Sequence, residues 1–125
     1  MKNIQDLISK YPELFNINSS NRNAINLYGI ECNIGWYNLL DSLMSTIKKY
    51  CESNNISYIS INQIKEKFGG LRFYFDGGDD RIEGMVWFAE SLSYSICENC
   101  SKSATIRNVN GWLTTLCDDC YYKDK

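Results

Sequence analysis

Between residues 36 and 53 the apolar side chains fall at Trp36, Leu39, Leu40, Leu43, Met44, Ile47, Tyr50 and Cys51. This is the i, i+3, i+4, i+7 recurrence of an amphipathic helix, and it predicts the main helix of the fold from Trp36 to about Ser53. A second helical pattern places Ile82, Met85, Val86, Ala89, Leu92 and Ile96 on one buried face. Asp79 or Asp80 is positioned to cap its start, with Glu83 three residues after Asp80 as in an Asp-led capping box, and the helix is expected to run to about Ser95. Beside the core stripe, Glu83, Trp87, Glu90 and Tyr94 form a neighbouring stripe about 60° wide. At the start of the chain Ile4, Leu7, Ile8 and Tyr11 predict a short helix that Pro12 ends or kinks, docked by Leu14 and Phe15. The Asn and Ser cluster over 16–23 predicts a loop.

Helical period gives way to β-branched and aromatic stretches in SYISINQIKEKF and LRFYF, separated by Gly69 and Gly70. A two-residue hairpin turn on that glycine pair sets Lys67 opposite Arg72 and Lys65 opposite Tyr74. One face then carries Ile64, Phe68, Leu71, Phe73 and Phe75, and the other Lys65, Lys67, Arg72 and Tyr74. A loop displaced by one residue is expected to exchange the faces. Glu66 is the odd member of the apolar face, and a core-edge arginine is its expected partner. Gly77 and Gly78 supply the turn from strand to helix cap.

Further on, CENC at 97–100 and CDDC at 117–120 give C-x2-C-x16-C-x2-C. Each C-x2-C knuckle can turn two sulfurs toward one ion, so Cys97, Cys100, Cys117 and Cys120 fit a tetrahedral four-thiolate zinc site, ahead of redox dithiols or an iron–sulfur centre. Four cysteine ligands leave no open position for water or substrate, which makes the metal a structural staple. Between the knuckles ATIRNVNGWLTTL reads as strand, Asn-Gly turn, strand, the pattern of a zinc ribbon, with Trp112 packing the ribbon onto the rest of the domain. Cys51 belongs to a buried helical stripe and Cys32 to the loop before it, so both are read as non-ligands.

These elements predict an α+β fold in which amphipathic helices pack on a β-hairpin or small antiparallel sheet, with a C-terminal four-cysteine zinc ribbon. One domain spans 1–125, its α+β core over 1–96 and the ribbon segment over 97–120. Composition narrows the chemistry. The 125 residues carry 13 Lys and Arg against 15 Asp and Glu, a formal net charge of -2, so no global positive field favours nucleic acid or an anionic membrane. Only Lys102 and Arg107 lie between the knuckles, with Glu98, Asp118 and Asp119 in or beside them, which disfavours DNA binding through this surface. The chain has no histidine, which removes Ser-His, Cys-His and His-metal mechanisms together. With no secretory pattern and no apolar run near about 18 residues, the expected setting is soluble and cytosolic, where cysteines stay reduced.

Candidate sites follow from these patterns. Lys65, Lys67, Arg72 and Tyr74 form a cationic hairpin face suited to a small anionic or nucleotide ligand, the cations on phosphate and the tyrosine stacking a base. Glu83, Trp87, Glu90 and Tyr94 offer an edge for a protein partner. Glu66 with Asp76, Asp79 and Asp80 is the alternative, a divalent-ion site for a nucleotide hydrolase, although the aspartates are also needed to cap the helix.

IKEKFGGLRFYFDGGDDRIEG, AESLSYSICENC and GWLTTLCDDC together resemble a family of small proteins encoded in bacteriophage and prophage genomes, over about residues 35–120. That family shares a K-F-G-G-L-R-F-Y core, a G-G-D helix start, an A-E-x-x-S-Y run and a G-W-x-x-T-L-C close, and some members have histidine near the position of Cys120. The resemblance implies a phage accessory protein in the cytoplasm of the bacterial host. It assigns no reaction. The reading that results is a non-enzymatic protein that occupies or sequesters a host factor, such as an immune effector or its nucleotide signal. A sequestering protein of this kind is expected to be a homo-oligomer, though no heptad or exposed strand run marks the interface.

Overall fold

The computed structural model describes residues 2–16 and 23–123; most of the loop expected over 16–23 lies outside them. Two short helices open the chain, α1 (Asp6–Lys10) and α2 (Pro12–Phe15), broken where Pro12 takes the first position of the second. Next comes α3 (Ala24–Tyr28), and a single 3-10 turn (Ile34–Trp36) leads into α4 (Tyr37–Ser53), the main amphipathic helix. The hairpin β1 (Ser60–Lys67) and β2 (Gly70–Asp76) follows, then α5 (Asp80–Ser93), a second hairpin β3 (Thr105–Val109) and β4 (Trp112–Leu116), and α6 (Asp118–Tyr122). The fold is therefore α+β, with each hairpin a separate two-stranded antiparallel sheet.

The main core gathers Leu7, Leu14, Phe15, Trp36, Leu40, Met44, Ile47, Ile61, Ile64, Leu71, Ile82 and their neighbours from α1 through α5. Ile59 and Ile61 both point inward, and so does Ile64, which strict alternation forbids. A bulge between Ile61 and Gln63 resolves the conflict by resetting the register within β1.

The first hairpin differs from the sequence expectation. Lys67 pairs with Gly70, so the turn residues are Phe68 and Gly69, both at positive φ (55° and 87°). Lys65, not Lys67, stands opposite Arg72, Glu66 opposite Leu71, and Gln63 opposite Tyr74. The division into faces nevertheless survives beyond the turn, because moving a two-residue loop by one position shifts each partner by two. Gly70 serves another purpose: a Cβ there would collide with the Tyr94 ring. Among the described residues Glu66 has no arginine partner; its carboxylate accepts the Gly69 N–H at 2.7 Å and fastens the turn.

Both edges of this hairpin are covered, which blocks strand addition. Along β2, the Leu71 N–H donates to Ser93 Oγ at 2.9 Å and the Phe73 N–H to Glu90 Oε2 at 2.9 Å. This explains a correction on α5: Ser93 is buried, whereas Leu92, expected inside, is 38% exposed. Along β1, Glu31 bonds through its backbone to Ile64 and Glu66. Asp79 is the cap of α5, accepting from the Arg81 and Ile82 N–H groups, while Asp80 is the first helical residue and leads no capping box.

Candidate metal centre and inter-hairpin cleft

The second hairpin brings little apolar material of its own: its buried cluster is Cys97, Ala104 and Cys117, with Leu116 and Cys120 partly covered. Order comes from the cysteines. Cys97 folds back on its knuckle through Cys97 N–H to Lys102 O and Ser101 N–H to Cys97 O, and Cys117 caps α6 by accepting the Cys120 N–H at 3.4 Å on sulfur. The four sulfurs of Cys97, Cys100, Cys117 and Cys120 lie within 4.8 Å of one another, with Cys100 and Cys117 3.5 Å apart. A tetrahedral ion with bonds of ~2.3 Å to sulfur separates its ligands by about 3.8 Å, so these thiols are positioned to hold a metal ion. Burial pushes the Cys97 thiol up, but the N–H groups of Cys117, Cys100 and Asn99 outweigh it and bring the group down to about 7. Its hydrogen bond with Cys117 and its own burial push Cys120 up to about 12.

The two other cysteines lie apart from this cluster. Cys51 is buried in the main core. Burial, with the Glu98 and Glu66 carboxylates added, pushes the half-buried Cys32 thiol up to about 12, so it is a poor nucleophile. Among the described residues no second group of three or more Cys, Asp or Glu side chains is close enough to share an ion. Glu66, Asp76, Asp79 and Asp80 are not gathered into one: Glu66 fastens the hairpin turn, and Asp79 caps α5 while accepting the Tyr50 hydroxyl at 2.6 Å.

The first knuckle is docked on the loop that precedes α4. Gly35 N–H donates to Glu98 O at 2.7 Å, Ser101 Oγ donates to Gly35 O at 2.5 Å, and Asn33 N–H donates to the buried Glu98 carboxylate at 3.0 Å. A Cβ on Gly35 would run into the Cys97 and Glu98 backbone. Fully buried Trp36 donates Nε1–H to Ile96 O at 2.9 Å. On the other side, buried Thr115 donates its hydroxyl to Gly69 O at 2.5 Å, tying β4 to the turn of the first hairpin.

That tie leaves a cleft of 540 Å³ between the hairpins, lined by Lys65, Glu66, Lys67 and Phe68 on one side and Gly111, Trp112 and Leu113 on the other. Trp112 was expected to pack the ribbon inward; it is instead 79% exposed, and Phe68 is 64% exposed. Thr115 does the docking in its place. Lys65 and Lys67 form no ion pair among the described residues, whereas Lys102 and Arg107 of the ribbon are matched by Asp119 and Asp118.

The remaining sequence candidates divide between two places. Arg72 is on the face of Lys65, but its guanidinium donates to Leu71 O and to the Tyr94 hydroxyl. Tyr74 lies in a separate groove with Phe73, Phe75, Glu83, Val86, Trp87 and Glu90. Tyr94 packs on Gly70. Phe68 and Trp112 were not singled out as ligand residues, and the one available signal was that each adjoins a two-residue turn. No family model, curated protein or solved structure matches the chain. No helix among the described residues is long and apolar enough to cross a membrane.

Proposed function

We propose that this chain is a non-enzymatic phage accessory protein of the bacterial cytoplasm that sequesters a small anionic, nucleotide-like host ligand in the inter-hairpin cleft. Lys65 and Lys67 meet the phosphate charge, and Phe68 and Trp112 stack on the base. The ion held by Cys97, Cys100, Cys117 and Cys120 is zinc, which fixes the ribbon so that its Trp112 wall faces the lysines.

The observation that carries this reading is Phe68. The second hairpin turns on Asn110 and Gly111 at φ 54° and 89°, almost the angles of Phe68 and Gly69. Asparagine suits the first of these positions and a bulky aromatic does not. The chain thus bears backbone strain to hold a phenylalanine ring in solvent, with the Lys67 ammonium 5.5 Å from the ring centre and neither Lys65 nor Lys67 in an ion pair among the described residues, and residues held this way cluster at ligand sites.

Calorimetric titration of the zinc-loaded protein with nucleoside triphosphates and cyclic dinucleotides tests it. At least one should bind saturably, and Lys65→Ala or Lys67→Ala should each weaken binding roughly tenfold, the worth of one charge-assisted hydrogen bond. Absence of binding, or binding indifferent to both substitutions, contradicts the reading. Magnesium-dependent turnover of the bound nucleotide would replace it with a hydrolase.

A further inference from the structure

We propose that the groove between β2 and α5 receives a cationic side chain, an arginine or a lysine, from a protein partner. Its volume is 380 Å³ and its floor is formed by the buried Phe73 and Val86. Tyr74, Phe75 and Trp87 form aromatic walls, while Glu83 and Glu90 bring carboxylates to the same groove. The helix sets this composition: Glu83, Trp87 and Glu90 recur at i, i+4 and i+7, along one side of α5.

Three observations point to a cation. Trp87 is 64% exposed while the core contacts of α5 are made by Ile82, Val86, Ala89 and Ser93, so its ring does not serve the fold. Glu83 makes no ion pair among the described residues. Among the described residues Glu90 uses only Oε2, on the Phe73 N–H, which leaves Oε1 for another donor. Arg72, which precedes Phe73 on β2, is already engaged with Leu71 O and Tyr94. A ring face beside two carboxylates attracts an ammonium or guanidinium through its quadrupole and by charge, and repels phosphate. The groove therefore has the opposite preference to the inter-hairpin cleft and does not depend on it.

The probe is the peptide acetyl-Gly-Arg-Gly-amide, with its citrulline analogue as an uncharged control of the same shape. Both are titrated into the 15N-labelled, zinc-loaded protein, and the indole N–H signals are followed, with Trp87→Phe assigning the Trp87 signal. The arginine peptide should shift Trp87 saturably at roughly millimolar concentration, leave Trp112 in place, and bind several-fold more tightly than the citrulline peptide. Glu83→Gln with Glu90→Gln, which keeps an acceptor for the Phe73 N–H, should weaken it about tenfold. Should the double variant fail to fold, Glu83→Gln alone, on the exposed rim, should still weaken binding several-fold. Equal shifts from both peptides, no shift of Trp87, or a shift of Trp112 in its place overturns the proposal. Because the cleft reports through Trp112, this outcome is separate from that of nucleotide binding.

Discussion

Phe68 holds at one hairpin tip the backbone conformation that Asn110 holds at the other, and the comparison yields a test at the scale of a single residue. A bulky side chain at positive φ costs about 1–3 kcal/mol. Phe68→Asn should therefore raise the melting temperature while weakening nucleotide binding, both read on one purified variant; a loss of stability would show that the ring is needed by the fold. Asp79 offers a second test. The Tyr50 hydroxyl, together with the Ile82 and Arg81 N–H groups, holds its carboxyl below the ordinary range against a smaller effect of burial. Its stabilising contribution is thus present above the ordinary carboxylate range and is lost as pH falls through the folded-state value. In thermal melts taken from neutral pH downward, Asp79→Asn should lose less stability on acidification than the parent protein. The Asn-Gly turn was legible in the sequence because one dipeptide satisfies one local rule. Gly69-Gly70 misled because Gly69 could stand first or second in the turn, and the choice depends on Tyr94, which is distant in sequence and reaches Gly70 only in the folded chain.

At the scale of elements, the helices α4 and α5 were legible because a stripe that repeats over several turns leaves one way to bury it. Sheet details were less so: the β1 bulge and the Ser93 and Glu90 contacts along β2 answer to neighbours that periodicity does not describe. The four-cysteine ribbon was legible from spacing alone, while the exposure of Trp112 was not, because an exposed and a buried tryptophan look alike in a strand pattern. With a buried cluster of three residues, the second hairpin cannot be held by apolar burial. Chelation should accordingly raise amide hydrogen exchange over 105–116 to near unprotected rates while α4 amides stay protected. Protection of β3 and β4 that persists after complete metal removal would show that the ribbon folds without its ion.

Across the whole molecule the two hairpins meet at Thr115 and Gly69, and the four-cysteine ribbon supplies one wall of the cleft whose other wall belongs to the first hairpin. The proposed function therefore couples metal to ligand: on that reading, a chain that loses its ion should lose the position of Trp112 and Leu113, and with it ligand binding. Charge is divided between two sites. Lys65 and Lys67 line the cleft, Glu83 and Glu90 line the groove beside α5, and the ribbon's Lys102 and Arg107 are paired with its aspartates. A net charge of -2 hid this division, since composition sums over faces that only the fold separates. The most direct measurement is native mass spectrometry of the protein purified from a bacterial lysate without added ligand. The account predicts one zinc per chain together with an additional mass in the nucleotide range, the latter absent from a Lys65→Ala, Lys67→Ala double variant that retains its zinc. A chain that carries zinc but no small molecule, or one whose small molecule survives the double substitution, would contradict it.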